Sequence, residues 1–212
     1  EFHRALDLLL GFCTVDLSAV FMDVAKDRLY TLAPDDPARR SAQTVLWRAL
    51  HDLAVAASPA LVFTAEEVWQ HHPALLAECE SVHLARWPER PAGASDEEWE
   101  FLHGVRDAVN AALEPLRAAK TLASPAAAEV TVTAPAATVA RLRPYEAELA
   151  AFLIVARAEL AEGAVEELAV EVRTTALAKC ERCWMHRADV AAEGPRAGLC
   201  ARCTGALEKS GK

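Results

Sequence analysis

Cys180-Glu181-Arg182-Cys183-Trp184 is answered sixteen residues later by Cys200-Ala201-Arg202-Cys203. Two C-x2-C turns at this separation can each present two thiolates to one point, and four thiolates complete a tetrahedron. The spacing predicts one structural zinc ion held by Cys180, Cys183, Cys200 and Cys203. A pair of disulfides would need an oxidising compartment, and no secretion signal is present. A redox C-x-x-C normally sits at a strand-to-helix turn of a βαβ unit and works as one dithiol rather than two. Cys13 and Cys79 are isolated. His186, three residues after Cys183, is expected to be an exposed loop histidine rather than a ligand. Gly194, Pro195 and Gly198 mark turns between the knuckles. The segment is too short for a core of its own, so metal binding would supply much of its folding energy.

Charge divides at the same place. Residues 1–172 carry 14 basic and 27 acidic side chains, giving −13, whereas 173–212 carry 8 and 4, giving +4. The total of −9 over 212 residues excludes a uniformly basic nucleic-acid binder. The tail alone has the sign of an anion-binding module, or simply of a solvated tail. Lys179, Arg182, Arg187, Arg196 and Arg202 decorate it. Trp184 beside them could stack on an unpaired base, or could cap the finger's small core.

Upstream the chain reads as helix. Hydrophobic residues make up 53%, but 46 of them are alanine, which buries little and favours helix. Glu1 to Leu10 forms an amphipathic helical pattern. Thr14 is placed to cap a helix carrying Leu17, Val20, Phe21, Val24 and Arg28 on one face. Pro34-Asp35-Asp36-Pro37 is a turn, and Ser41 to Ala57 a further helix closed by Ser58-Pro59. Thr64-Ala65-Glu66-Glu67 reads as a capping box opening a helix through Trp69, which ends near His71-His72. Pro73 to Ser95 is an irregular connection. Ser95-Asp96-Glu97-Glu98 opens a long helix with Trp99, Leu102, Val105 or Arg106, Val109, Leu113 and Leu116 on its stripe, kinked or ended by Pro115. Glu129 to Thr133 alternates as a strand, Pro135 to Arg143 is a short helix, and Phe152 to Val155 and Val165 to Val172 are strand candidates. The expected architecture is mainly α: a helical bundle over 1–92, a small α+β junction domain over 93–173, and a zinc finger over 174–212. No apolar run approaches a bilayer span, Leu8-Leu9-Leu10 being flanked by Asp7 and Gly11, so no membrane partner is expected. No Walker loop, G-x-S-x-G or H-E-x-x-H is present, and no catalytic residue is assigned.

Ordered motifs carry a family resemblance. Phe12-Cys13-Thr14-Val15-Asp16-Leu17-Ser18, Met22-Asp23-Val24-Ala25-Lys26-Asp27-Arg28-Leu29-Tyr30, Arg40-Ser41-Ala42-Gln43-Thr44 and Phe63-Thr64-Ala65-Glu66-Glu67-Val68-Trp69 come first. Arg106-Asp107-Ala108-Val109-Asn110 with Ala112-Leu113-Glu114 and the terminal finger follow. Together they resemble the carboxyl-terminal region of bacterial isoleucyl-tRNA synthetase. The resemblance implies a class I synthetase anticodon-binding bundle, a junction domain and a zinc finger that hold the anticodon stem and loop of isoleucine tRNA. It implies a longer, cytoplasmic, monomeric enzyme in which other domains use ATP to attach isoleucine and hydrolyse mischarged tRNA. Their HIGH and KMSKS signatures are absent here, so this piece is expected neither to activate isoleucine nor to edit. Candidate tRNA contacts are Lys26, Arg39, Arg40 and Arg48 on the bundle, and Arg182, Trp184, Arg187 and Arg202 on the finger. The sequence departs from the family at Thr121-Leu122-Ala123-Ser124-Pro125-Ala126, where many members have a glycine-containing turn, so the following strand is expected to be shorter or differently set. Two other classes remain: a zinc-finger DNA glycosylase of the formamidopyrimidine type, which would need an amino-terminal Pro-Glu where this chain has Glu1-Phe2-His3, and a helical interaction module stapled by zinc.

Overall fold

A computed structural model describes residues 1–89 and 96–211, which form two compact units, Glu1–Ala94 and Ser95–Lys212. The expected Ser95 capping box lies outside the described residues in part, because Ser95 itself does.

The first unit is helical. Its chain begins with α1 (Phe2–Gly11), passes without interruption through a π-wound segment, Phe12–Met22, and continues into α2 (Asp23–Thr31). Thr14 therefore caps nothing. It lies within the helical run, and its hydroxyl donates back to the Leu10 carbonyl at 2.8 Å, the usual way a mid-helix threonine is satisfied. Joined in this way, Phe2–Thr31 is long and apolar enough, by length and composition alone, to cross a membrane. The sequence reading missed this because Asp7 and Asp16 break the run of letters without breaking the helix. Phe2, Leu8 and Leu10 on this run are exposed.

Helix α3 (Pro37–Ala57) starts four residues before the expected Ser41. Asp36 is its N-cap, accepting from the Ala38 N–H at 2.9 Å, and Pro37 takes the first helical position, where a missing N–H costs nothing. Helix α4 (Val62–Gln70) begins at Leu61 with no side-chain cap. The Thr64 box thus fails as a cap, and Glu66 has a different partner. Its carboxylate accepts from the Ser81 hydroxyl at 2.9 Å and from the Val82 N–H at 3.1 Å. Those bonds, the Ser81 hydroxyl foremost and against the opposing effect of burial, hold its pKa below the ordinary carboxylate value. They fasten the segment that follows α5 (Pro73–Leu76). Trp69, wholly buried, completes the fastening by donating its indole N–H to the Cys79 carbonyl at 2.9 Å. Ala54, Val55, Ala65, Leu75 and Val82 pack with Trp69 as the core.

His51 lies against that core, its ring 5.6 Å from Trp69 and 6.1 Å from Trp47. Its Nδ1 faces Asp52 at 2.8 Å and its Nε2 faces Glu78 at 3.4 Å. Burial pulls its pKa down, but the two carboxylates outweigh burial and raise it above the ordinary 6.5.

In the second unit, α6 (Asp96–Ala118) packs on a three-stranded sheet of order β2-β1-β3. Pro115 sits inside α6, whose regular part closes three residues later. Lys120 then takes a left-handed φ of 58°, the conformation a turn glycine would supply. The strand beyond is not shortened: β1 (Ala128–Ala134) has seven residues of strictly alternating burial and is the central strand. It pairs in parallel with β2 (Arg157–Glu162) and antiparallel with β3 (Ala169–Thr174), so that Val130 opposes Ala158 and Val172, and Val132 opposes Leu160 and Val170. The crossover from β1 to β2 is α7 (Ala136–Leu142) and α8 (Glu146–Leu153). Phe152 to Val155 is accordingly no strand. It is the end of α8, with Ile154 reversing the chain at a left-handed φ of 56° and Leu153 and Val155 buried beneath. A short apolar run looks the same at a buried helix end as in a buried strand. Val105, Val109 and Leu113 from α6 meet Val130 and Val132 in the core. Two arginines clamp the unit. Buried Arg106 donates to the Phe152 carbonyl and lies over its ring, and Arg141 lies 4.0 Å over Phe101 while pairing with Glu98 at 2.8 Å.

Two outcomes are expected. Leu113→Ala, at a site 1% exposed, lowers the unfolding free energy of the second unit by about 3 kcal/mol in urea titration. Because the folded pKa of His51 is raised, its stabilisation is full below the ordinary 6.5 and fades as pH rises through the raised value. The urea midpoint of wild type should therefore exceed that of His51→Gln by more at about pH 5.5 than at about pH 8.5.

Candidate metal centre and nucleic-acid face

The sheet delivers the chain to the finger along a fixed path. Glu129 on β1 accepts from the Thr175 hydroxyl at 2.6 Å and pairs with Arg173 at 2.8 Å, and the Thr175 N–H donates to the Ala127 carbonyl at 2.8 Å. The ring of His186 bonds the Leu177 carbonyl at 2.7 Å. His186 is thus half-buried rather than an exposed loop residue, and it holds the entry strand to the first knuckle.

The first knuckle turns between Cys180 and Met185, with the Trp184 N–H on the Cys180 carbonyl and the Cys180 N–H on the Met185 carbonyl, both at 2.9 Å. The second opens α9 (Ala201–Lys209), whose N-cap position is Cys200 and whose first N–H is taken by the Asp189 carboxylate at 3.2 Å. Gly198, at φ +79°, passes the chain between the knuckles and accepts the Glu181 N–H at 2.9 Å. These turns bring the sulfurs of Cys180, Cys183, Cys200 and Cys203 within 4.8 Å of one another, Cys183 and Cys200 at 3.9 Å. Four sulfurs around a tetrahedral ion at 2.3 Å would stand about 3.8 Å apart, so the set fits a divalent thiophilic metal with little adjustment. Cys180, Cys200 and Cys203 have no exposed surface, and Cys183 is half-buried.

The metal-free thiols differ from one another. Burial opposes ionisation of Cys180, but backbone N–H groups of Cys183, Cys200 and Arg182 draw its pKa down to about 6. Cys203 is pushed up to about 12 by burial and by the neighbouring sulfurs, against a lowering contribution from Arg182. The lowering at Cys180 favours the thiolate, the state a metal ligand needs.

The other candidates fall into distinct settings. Trp184 is 69% exposed and no part of the finger's core, and Lys179 lies 5.8 Å from its ring centroid. Lys179 was not among the sequence candidates. Its place near Trp184, in the turn that the Lys179–His186 bridge closes, is the signal that sequence spacing alone does not display. Arg182 points to the Cys203 sulfur at 3.6 Å. Arg187 and Arg202 are half-buried on the finger. In the first unit Arg39 donates to the Leu32 carbonyl at 2.9 Å, Lys26 pairs with Asp23 at 3.0 Å, and Arg40 and Arg48 are exposed on α3.

Comparison with known proteins accounts for this combination. Residues 1–132 match the anticodon-binding domain of tRNA ligases, and the chain belongs to that family. Over its whole length it is 38% identical to an isoleucine--tRNA ligase of Chromobacterium violaceum, and over 95% of its length 40% identical to one of Neisseria gonorrhoeae. An isoleucine--tRNA ligase of Xanthomonas axonopodis pv. citri is 35% identical over the whole chain. The chain spans 22–23% of the length of these relatives.

Proposed function

We propose that this chain is the anticodon stem-loop binding part of an isoleucine--tRNA ligase, and that its four cysteines hold one structural zinc ion. The observation that supports it most directly is one polypeptide that joins an anticodon-binding family match over residues 1–132 to a converged four-cysteine set. In this reading the first unit and the finger grip the tRNA, while attachment of isoleucine with ATP belongs to the remainder of a longer cytoplasmic enzyme. The zinc would be structural, since four protein sulfurs leave no open position for a reacting water or substrate. Held by Cys180, Cys183, Cys200 and Cys203, it would supply the cross-link that the finger's small core lacks. Trp184, exposed and flanked by Lys179, offers a stacking platform for an unpaired loop base with a cation beside it.

Metal analysis of the purified chain should give one zinc per molecule. Four freely titratable thiols and no zinc in the folded protein would refute the metal assignment. Filter binding at stated salt should favour isoleucine tRNA over a non-cognate tRNA and over duplex DNA, with affinity falling as salt rises. Trp184→Ala should weaken tRNA binding by about 1–3 kcal/mol while zinc content stays at one. Equal weak binding to every nucleic acid would instead leave an interaction module.

A further inference from the structure

Arg182 and Arg202 occupy the same place in their respective C-x-x-C turns, immediately before the second cysteine. Sequence alone makes both look like phosphate-binding cations. The structure separates Arg182 from that role. Its Nη1 donates across the finger to the sulfur of Cys203, at 3.6 Å, from the first knuckle to the second. Cys203 has no exposed surface. A second donor, the backbone N–H of Cys200, reaches the Cys180 sulfur at 3.4 Å.

A divalent ion held by four thiolates carries a net charge of −2, and that charge sits on sulfurs almost cut off from water. Buried charge of this kind is costly unless it is paired and hydrogen-bonded. Backbone N–H groups supply dipoles, but a guanidinium supplies a full positive charge that cannot be lost at any pH the protein meets. Groups behind the ligands fix ligand orientation and commonly govern metal affinity by 10–100-fold.

We infer that Arg182 is a positioning residue of the metal centre, the counter-charge that ties the two knuckles together through Cys203, and not a reader of RNA. This rests on the four cysteines being a zinc site, and the experiment separates the two claims. Zinc affinity is measured by chelator competition on the full chain, for wild type, Arg182→Met, Arg182→Lys and Lys209→Met. Lys209 is exposed at the end of α9, so its replacement removes one positive charge from the same finger without touching a sulfur. Arg182→Met should bind zinc about tenfold more weakly or worse, Arg182→Lys should recover most of that loss, and Lys209→Met should match wild type within about twofold. A wild type that takes up no zinc refutes the metal site itself. A wild type with one zinc and an Arg182→Met variant of equal affinity refutes the role of Arg182 alone, as does Arg182→Lys binding as weakly as Arg182→Met. The unaltered protein gives a further readout that no folding defect can confuse. With zinc bound, the Arg182 guanidinium should show slowed rotation, with resolved Nη proton signals in NMR, and removing zinc should free it. Free rotation in the zinc-loaded protein would overturn the inference.

Discussion

Four cysteine sulfurs within 4.8 Å of one another are the constraint on which the carboxyl-terminal part of this chain depends. Two thiolates about 4 Å apart repel by about 4 kcal/mol at an effective dielectric of 20, and the set contains several such pairs. As anions the four are compatible with one another only around a cation. As neutral thiols they are a small apolar cluster, to which Val190 and Leu199 add partly buried neighbours among the described residues. That cluster is far smaller than the core beneath β1, and it leaves the knuckles little else to fold around. The direction of Trp184 and the start of α9 belong to the turns that carry these sulfurs, while the path through Thr175 is set by the sheet.

Charge takes on a different meaning once the site is seen. The +4 of residues 173–212 counts the cysteines as neutral. With zinc held by four thiolates the finger would fall to +2, and Arg182, one of its arginines, donates to the Cys203 sulfur. Against −13 over the rest of the chain, bulk attraction to a polyanion is weak. Recognition of RNA by such a surface has to come from local cations and from stacking, which tolerate an acidic background because a salt-screened field decays over about 10 Å.

The legible parts of the fold were those whose signals are local and redundant. The stripe of α6, the alternation of β1, and the C-x2-C pair each repeat one message several times. The illegible parts were places where one residue type serves two purposes. Thr14 and Thr64 are good N-caps in isolation, but one bonds back to Leu10 and the other lies inside α4. Glu66 looked like a capping-box acid, whereas it reaches fifteen residues forward to Ser81, a contact that only the tertiary fold creates. Strand β2 reads Arg-Ala-Glu-Leu-Ala-Glu, which by propensity favours helix, and it is a strand because β1 offers a parallel edge. In the site, the convergence of the four cysteines was readable from spacing. The contact of Arg182 with the Cys203 sulfur was not, because Arg182 and Arg202 are indistinguishable in their motifs.

Trp184 shows how the four-cysteine constraint shapes the exposed surface of the finger. A bulky residue at φ +62° is held in a conformation that costs of order 1–3 kcal/mol and would suit glycine. The knuckle imposes it, since the Trp184 N–H must turn back to the Cys180 carbonyl to bring Cys183 beside Cys180. A glycine would relieve the strain at modest loss of buried contact, because the indole is 69% exposed. The side chain therefore returns little to the fold of the finger to offset the conformation it occupies. Strain of this kind persists where the surrounding structure over-determines it, and here the sulfurs do so. The same turn that positions a ligand sulfur drives an indole outward next to Lys179, so a rigid aromatic face on this surface is a direct mechanical product of the four-cysteine site.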